Sequence, residues 1–285
     1  MGISSGSTSR PSGRRARLKR SQEDSANSRA HVPCREGDGS VNGAHDENVF
    51  YPHRVASLPS YVPRPVGRAL NAALHAGLAV VDRVGEIAPG TRAAARFGSF
   101  GQGTSIGFPP ATLMNTGAIH LGSDTLIGRH VTLSAGYGPL DERDLERTLV
   151  IGDRCVIGAR CSFAAHELIE IGDGVWFGQD VFVCDASHGY RDPHMPIGEQ
   201  FGAHAPVRIG SGTWIGHGAI VLPGTTIGCN VAVAAGSVVR GEIPDHSVVA
   251  GVPARVIRRL ENGVGWVGAH GDVREVLDGR IGATG

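Results

Sequence analysis

From about residue 98 the chain repeats every six residues: an aliphatic side chain, a glycine, two variable positions, a small or β-branched residue, then an unrestricted one. The units include 121-LGSDTL-126, 127-IGRHVT-132, 151-IGDRCV-156, 157-IGARCS-162, 171-IGDGVW-176, 177-FGQDVF-182, 209-IGSGTW-214, 215-IGHGAI-220, 221-VLPGTT-226, 227-IGCNVA-232 and 233-VAAGSV-238, with Phe for the aliphatic residue at 177 and Leu or Ala for the glycine at 222 and 234. An internal repeat outranks any local propensity. The pattern predicts a coil of three flat strands, one hexad each, with the aliphatic residue pointing inward and stacking on its counterpart three hexads on. Ile209 is then expected over Ile227 and Ile215 over Val233. The fifth position is also inward and must be small, as Val175, Val181, Ser187, Thr213, Ala219, Thr225, Val231 and Ser237 are. The glycine is expected at a corner whose backbone conformation a Cβ disfavours. Stacked parallel strands satisfy one another's backbone groups.

The period breaks at 137-YGPLDERDLER-147, again between Phe163 and Ile171, where eight residues replace six, and after Val183, where 183-VCDASHGYRDPHMPIGEQ-200 intervenes before Ile209. A solenoid carries its insertions as loops, often on the binding face. Upstream, Val66, Leu70, Leu74, Leu78 and Val81 recur at spacings that make one face of an amphipathic helix over 63–84, with Pro65 in its first turn and Gly85 at its end. Arg68, Asn71 and His75 interrupt it, so it does not read as a membrane span. The boundaries drawn are a disordered tail over 1–62, a helical segment over 63–97, the hexad coil over 98–259 and a C-terminal extension over 260–285. The tail is poor in large apolar residues and cannot offset its chain entropy, and its cluster Arg14, Arg15, Arg17, Lys19 and Arg20 reads as solvated.

Composition narrows the picture. Glycine supplies 43 of 285 residues and aromatics 5%, against an average glycine usage of about 7%. That excludes an ordinary helical bundle and suits many tight corners. The 27 Lys+Arg balance 27 Asp+Glu, giving no pull toward nucleic acid or an anionic membrane. Five cysteines, Cys34, Cys155, Cys161, Cys184 and Cys229, match no metal spacing and follow no signal peptide. They read as small buried thiols of a cytoplasmic protein.

The hexads together with 245-DHSVVAGVPARVIRR-259, Asp185-x-x-His188, Pro196-Ile197-x-x-Gln200, 214-WIGHGAIVLPGTTIG-228 and Gly251-Val-Pro-Ala-Arg255 resemble the hexapeptide-repeat acyltransferases, in particular sugar O-acetyltransferases of the maltose and galactoside kind and their polysaccharide-modifying relatives. The resemblance spans roughly 120–259. It implies an all-β, left-handed parallel β-helix, a handedness that crossover rules alone do not give. It further implies acetyl-CoA as donor, a homotrimer with active sites between neighbouring prisms, and an essential histidine at His188. Cysteine-independent transfer from a thioester to an alcohol needs a base, and an imidazole titrates near operating pH. Backbone N–H groups at glycine corners can meet the oxyanion.

Around His188, Asp185 is expected to orient the ring or cap a turn, and His166 to approach from the preceding coil. Arg160 is the nearest counterpart of an acceptor-binding asparagine in galactoside-type enzymes, a departure from that pattern. Tyr190, Asp192 and Gln200 are candidate partners of sugar hydroxyls, while His194 and His204 read as solvated. On the CoA side the resemblance places Trp214, His217, Ala235 and Ser237 along the pantetheine groove, with a core role open for Ser237. Arg240, Arg255 and Arg258 are candidates for the phosphates, since guanidinium matches phosphate geometry; many relatives carry Thr-Lys where Arg240-Gly241 stands here. Cys184 lies close to His188 in sequence, but acyl transfer between CoA and an alcohol proceeds without a cysteine nucleophile. A γ-carbonic-anhydrase-like zinc site built on His217 lacks its companion histidines, Leu222-Pro223 standing where one belongs, so no metal is expected. A non-enzymatic scaffold, or an amine or serine acceptor, are the remaining readings.

Overall fold

A computed structural model describes residues 64–277 except 140, 142 and 144. The tail assigned to 1–62 and its basic cluster lie outside the described residues, as do the last eight of the extension. The helix forms over Arg64–Gly85, within a residue of the sequence expectation at each end. Among the described residues its apolar positions are left uncovered: Leu70 and Leu74 are about 60% exposed. Its last turn is tied down by an ion pair of 2.6 Å from Asp82 to Arg129 and by the bridge of Ile87 to Ile106.

Beyond it, short strands climb three parallel sheets in turn. The first face stacks Ser99–Phe100, Ile119–Leu121, Leu149–Ile151, Ile169–Ile171, Val207–Ile209, Thr226–Ile227 and Glu242–Ile243. The second runs through Ser105–Ile106, Leu126–Ile127, Val156–Ile157, Trp176–Phe177, Trp214–Ile215 and Ala232–Val233 to Ser247–Gly251. The third stacks Thr112–Met114, Thr132–Ala135, Ser162–Ala165, Phe182–Cys184, Ile220–Val221 and Val238–Val239. Ile209 pairs with Ile227 and Ile215 with Val233, the register that the hexads predict. The inward aliphatics and the fifth-position residues, Cys155, Cys161, Val175, Val181, Ala219 and Val231 among them, form one core. Inward threonines return their hydroxyls to the backbone, as Thr213 does to the Gly228 carbonyl at 3.0 Å.

Two expectations need correction. The glycine in the second hexad position does not adopt left-handed backbone; that conformation falls two residues later, at Asp124, His130, Arg154, Arg160, Asp180 and Asn230 as well as at glycines. What the second position requires is space: a Cβ on Gly158 would sit 2.5 Å from the Gly178 carbonyl oxygen, and one on Gly216 2.5 Å from the Ala235 nitrogen, both backbone of the next coil. Ser187, placed inward by the period, is exposed, because the chain has left the prism before reaching it.

The outward residues differ by face. The first presents Glu170, Arg208, Thr226 and Glu242, with Glu170 and Arg208 paired at 3.3 Å. The second presents an unbroken ladder of Leu126, Val156, Trp176, Trp214, Ala232 and Val248. At the C-terminal end, Ser247–Gly251 reverses into antiparallel strands Ala254–Glu261, Gly265–Gly268 and Val273–Arg274, extending the second sheet.

Candidate active site

After Phe182–Cys184 the chain does not turn onto the first face. It leaves as Ala186–His188 and returns antiparallel as Phe201–His204, with an irregularity between Ala186 and His188. The base closes where the Ala205 N–H donates to the Asp185 carbonyl at 2.8 Å, and Val207–Ile209 then resumes the first face. Gly202 fits because a Cβ there would run into the Ser187 carbonyl oxygen. The loop between the two strands is braced internally. Gln200, 8% exposed, accepts the Asp192 N–H at 3.1 Å and donates to the carbonyls of Asp192 and Met195 at 2.8 and 2.9 Å. The Asp192 carboxylate accepts the His194 N–H at 2.9 Å. Gln200 and Asp192, expected to meet a substrate, thus spend their polar groups on the loop's own backbone; Tyr190 stays exposed at its rim.

Asp185 is fully buried. Its carboxylate accepts the N–H groups of His166, Glu167 and Leu168, each at 2.7 Å. The longer unit between Phe163 and Ile171 is therefore an anion-capped turn, and the cap comes from the foot of the hairpin one coil later. Of the two roles expected for it, Asp185 takes the turn cap, and, fully buried, it has no exposed oxygen for a substrate. It also lies 3.4 Å from Nδ1 of His166, a buried atom with no hydrogen bond among the described residues.

His166 and His188 meet across a cavity of about 130 Å³. Its walls are the rings of Tyr137, His166, Phe201 and His204, and its floor is the Ala186–His188 strand. The Tyr137 hydroxyl lies 2.7 Å from Nε2 of His204, and the Tyr137 ring centroid is 5.1 Å from that of His166 and 5.9 Å from that of Phe201. His204, read from sequence as solvated, is part of the wall. A second, larger cavity of about 420 Å³ lies along the hairpin beside Tyr190, and His188 lines both. Tyr137 was not singled out from sequence; its signal was the insertion 137–147. There the Asp141 carboxylate accepts the Tyr137 N–H at 2.8 Å and binds the Arg143 guanidinium at 2.7 Å. That guanidinium holds the Asp141 carboxyl below its ordinary range. Arg143 in turn donates to the His166 carbonyl at 3.1 Å and lies over the Tyr137 ring at 4.2 Å.

The remaining candidates sit elsewhere. Arg160 is at the corner between the second and third faces, with its guanidinium on the Asp180 carboxylate at 2.7 Å. It does not reach the His188 cavity, which opens at the corner between the third and first faces, so its expected acceptor contact is not formed within one chain. His217 stands on the same edge, 3.7 Å from Asp180, and Ala235 follows one coil later, exposed. Trp214 is half exposed on the second face, paired in register with Trp176. Ser237 points inward and is 1% exposed, and its hydroxyl accepts the Gly251 N–H at 3.3 Å; the core role displaces the groove role. Arg258 is bound to the Asp272 carboxylate and to the Trp266 carbonyl at 3.1 Å, so its guanidinium secures the C-terminal strands and is not free for phosphate. Arg240 and Arg255 are exposed. Burial pushes the Cys184 thiol up, which disfavours the thiolate that a nucleophile needs. Among the described residues no group of three or more His, Cys, Asp or Glu is placed to hold a metal ion, and no helix is long and apolar enough to cross a membrane.

Comparison with known proteins agrees with this architecture. The family described as bacterial transferase hexapeptide (six repeats) matches residues 206–241, and the hexapeptide repeat of succinyl-transferase matches residues 148–178. A protein of Escherichia coli K12 named as a lipopolysaccharide biosynthesis O-acetyl transferase, WbbJ, is 32% identical over 161 residues, covering 54% of this chain and 78% of its own length. A galactoside O-acetyltransferase of Lactococcus lactis is 37% identical over 94 residues, 33% of this chain and 44% of that protein. Among solved structures, an N-acyltransferase of Bacillus cereus, AntD, in complex with dTDP and coenzyme A, shares the fold with a TM-score of 0.50 at 22% identity, over 60% of this chain and 90% of that one. The chain belongs to the hexapeptide-repeat, left-handed β-helix transferases and is an acyltransferase.

Proposed function

We propose that this enzyme transfers an acetyl group from acetyl-CoA to a hydroxyl of a sugar or glycoconjugate, with His188 as general base. The observation that carries the reading is the placing of His188 on a hairpin that leaves the prism, on the floor of a ring-walled cavity. Concave sites lined by rings with a few convergent polar groups are the usual form of small-molecule sites. An alcohol in this cavity would give its proton to the imidazole as it attacks the thioester carbonyl. The thiolate needs little acid help, an ordinary thiol having a pKa of about 8.5. The relatives' names, an O-acetyl transferase and a galactoside O-acetyltransferase, favour a hydroxyl over an amine or serine.

Acetyl-CoA supplies the thioester. His217 and Ala235 lie on one exposed edge of the prism with Trp214 on the second face beside it, and Arg240 and Arg255 are exposed cations; these fit a pantetheine arm and its phosphates. That edge is on the far side of the third face from His188. The donor therefore reaches the base in an assembly, the edge of one prism facing the hairpin of a neighbour, as in a homotrimer. One feature supports it: the apolar ladder on the second face is the kind of patch that marks an interface.

The test is turnover with acetyl-CoA across pyranosides, free sugars, amines and serine, read by released thiol and by mass and alkali-lability of the product. An alkali-labile O-acetyl sugar is expected. Transfer confined to amines or serine would overturn the reading.

A further inference from the structure

The insertion 137–147 contributes more to the site than a loop at its margin. Tyr137 reaches the cavity from two coils before the hairpin, and three separate contacts fix its ring. Its backbone N–H is held by Asp141 at 2.8 Å, one ring face is covered by the Arg143 guanidinium at 4.2 Å, and its hydroxyl lies 2.7 Å from Nε2 of His204. Arg143 does not line the cavity, whereas Tyr137 does. Arg143 is itself anchored at both ends, on the Asp141 carboxylate at 2.7 Å and on the His166 carbonyl at 3.1 Å. The Asp141 side chain is 4% exposed. A ring clamped on one face and offering the rest of its surface to a cavity is a preorganised wall, with little left to order on binding. Nothing in the hexad coil requires this device, since the prism closes beneath it through Ala135 and Ala165.

We infer that Tyr137, braced by Arg143 and Asp141, is the specificity-determining wall for the acceptor: it packs against the apolar face of a pyranose ring and so selects cyclic sugars over acyclic hydroxyl compounds. This rests on the O-acetyltransferase reading and names the substrate feature that the site recognises. An aromatic ring offers a large apolar surface at low conformational cost, and its negative face attracts polarised C–H edges as it attracts cations. Arg143 and Asp141 act through Tyr137 and are positioning residues.

The experiment compares methyl β-D-galactopyranoside with glycerol, both with saturating acetyl-CoA, in wild-type enzyme and in Tyr137→Leu, Tyr137→Trp, Tyr137→Phe and Arg143→Ala. Tyr137→Leu is expected to raise KM for the pyranoside about three- to tenfold, the worth of one ring contact. KM for acetyl-CoA should stay unchanged, and the preference for pyranoside over glycerol should fall by the same factor. Tyr137→Trp, which keeps a ring, should retain the preference. Tyr137→Phe, which loses only the hydroxyl, should lie near wild type. Arg143→Ala should fall between wild type and Tyr137→Leu. A merely structural role would lower melting temperature and kcat and raise both KM values together. An unchanged pyranoside preference in Tyr137→Leu, with wild-type enzyme active on the pyranoside, overturns the wall alone. Wild-type enzyme that releases thiol with no pyranoside overturns the sugar reading itself.

Discussion

Cys155 and Cys161 occupy fifth positions of their hexads and Cys184 ends a third-face strand, and all three are buried. Loss of water raises their thiols, Cys161 to about 11, so the reactive thiolate is scarce at neutral pH. Cys229 is exposed. Alkylation of native enzyme near pH 8, mapped by mass spectrometry, should mark the peptide with Cys229 and leave those with Cys155, Cys161 and Cys184 unmarked until denaturant is added. Asp141 carries the opposite sign. Its carboxyl is held below 3.8 by Arg143, so its contribution is complete above that value and is lost only as pH falls through the lower folded one. The Tyr137 brace thus persists wherever histidines titrate. The period foretold the inward thiols because six-residue spacing fixes which side chains face the core. It also placed Ser237 inward, as found, but could not foretell Arg258, whose partner Asp272 belongs to an element outside the repeat.

At the level of elements, the hairpin and the turn before it are one unit, joined by Asp185. Replacing Asp185 by Ala would leave the N–H groups of His166, Glu167 and Leu168 without their acceptor, at about 1–3 kcal/mol for each buried donor left unpaired. Chemical denaturation should show a loss of at least about 2 kcal/mol, with activity falling because His166 and His188 lose their common support. Unchanged stability would mean that the cap is dispensable. Gly202→Ala should cost activity with less effect on prism stability, since its Cβ would part the two hairpin strands. The break after Val183 and the long unit before Ile171 were both legible as departures from period. Their coupling was not, because it depends on Asp185 being buried, and a chain that exits the prism reverses the inward and outward assignment that the period gives Ser187. The second-position glycines were legible as necessary, while the reason, contact with backbone one coil on, needs the stacked coils.

For the whole molecule, the three faces divide the labour. A charged face suits water; an apolar ladder with two exposed tryptophans and a helix with bare leucines call for a partner. Leu126→Asp with Trp176→Asp, or Leu70→Asp with Leu74→Asp, should shift the proposed trimer toward monomer in analytical ultracentrifugation. Each shift should reduce acetyl transfer, because the edge proposed for the donor and the hairpin lie on different corners of one prism. Fully active monomer would contradict the shared site. The prism itself was readable from sequence almost residue by residue. The division of faces was not, since the unrestricted positions carry it and only stacking turns scattered Leu126, Val156, Trp176 and Trp214 into a stripe.

The proposed base role of His188 is tested most directly by single-turnover acetyl transfer in His188→Ala alongside calorimetric titration of CoA. The rate should fall by about 10²–10⁴-fold, the usual contribution of a general base, with CoA affinity within about twofold of wild type. Transfer at the wild-type rate in that variant would contradict a base at His188.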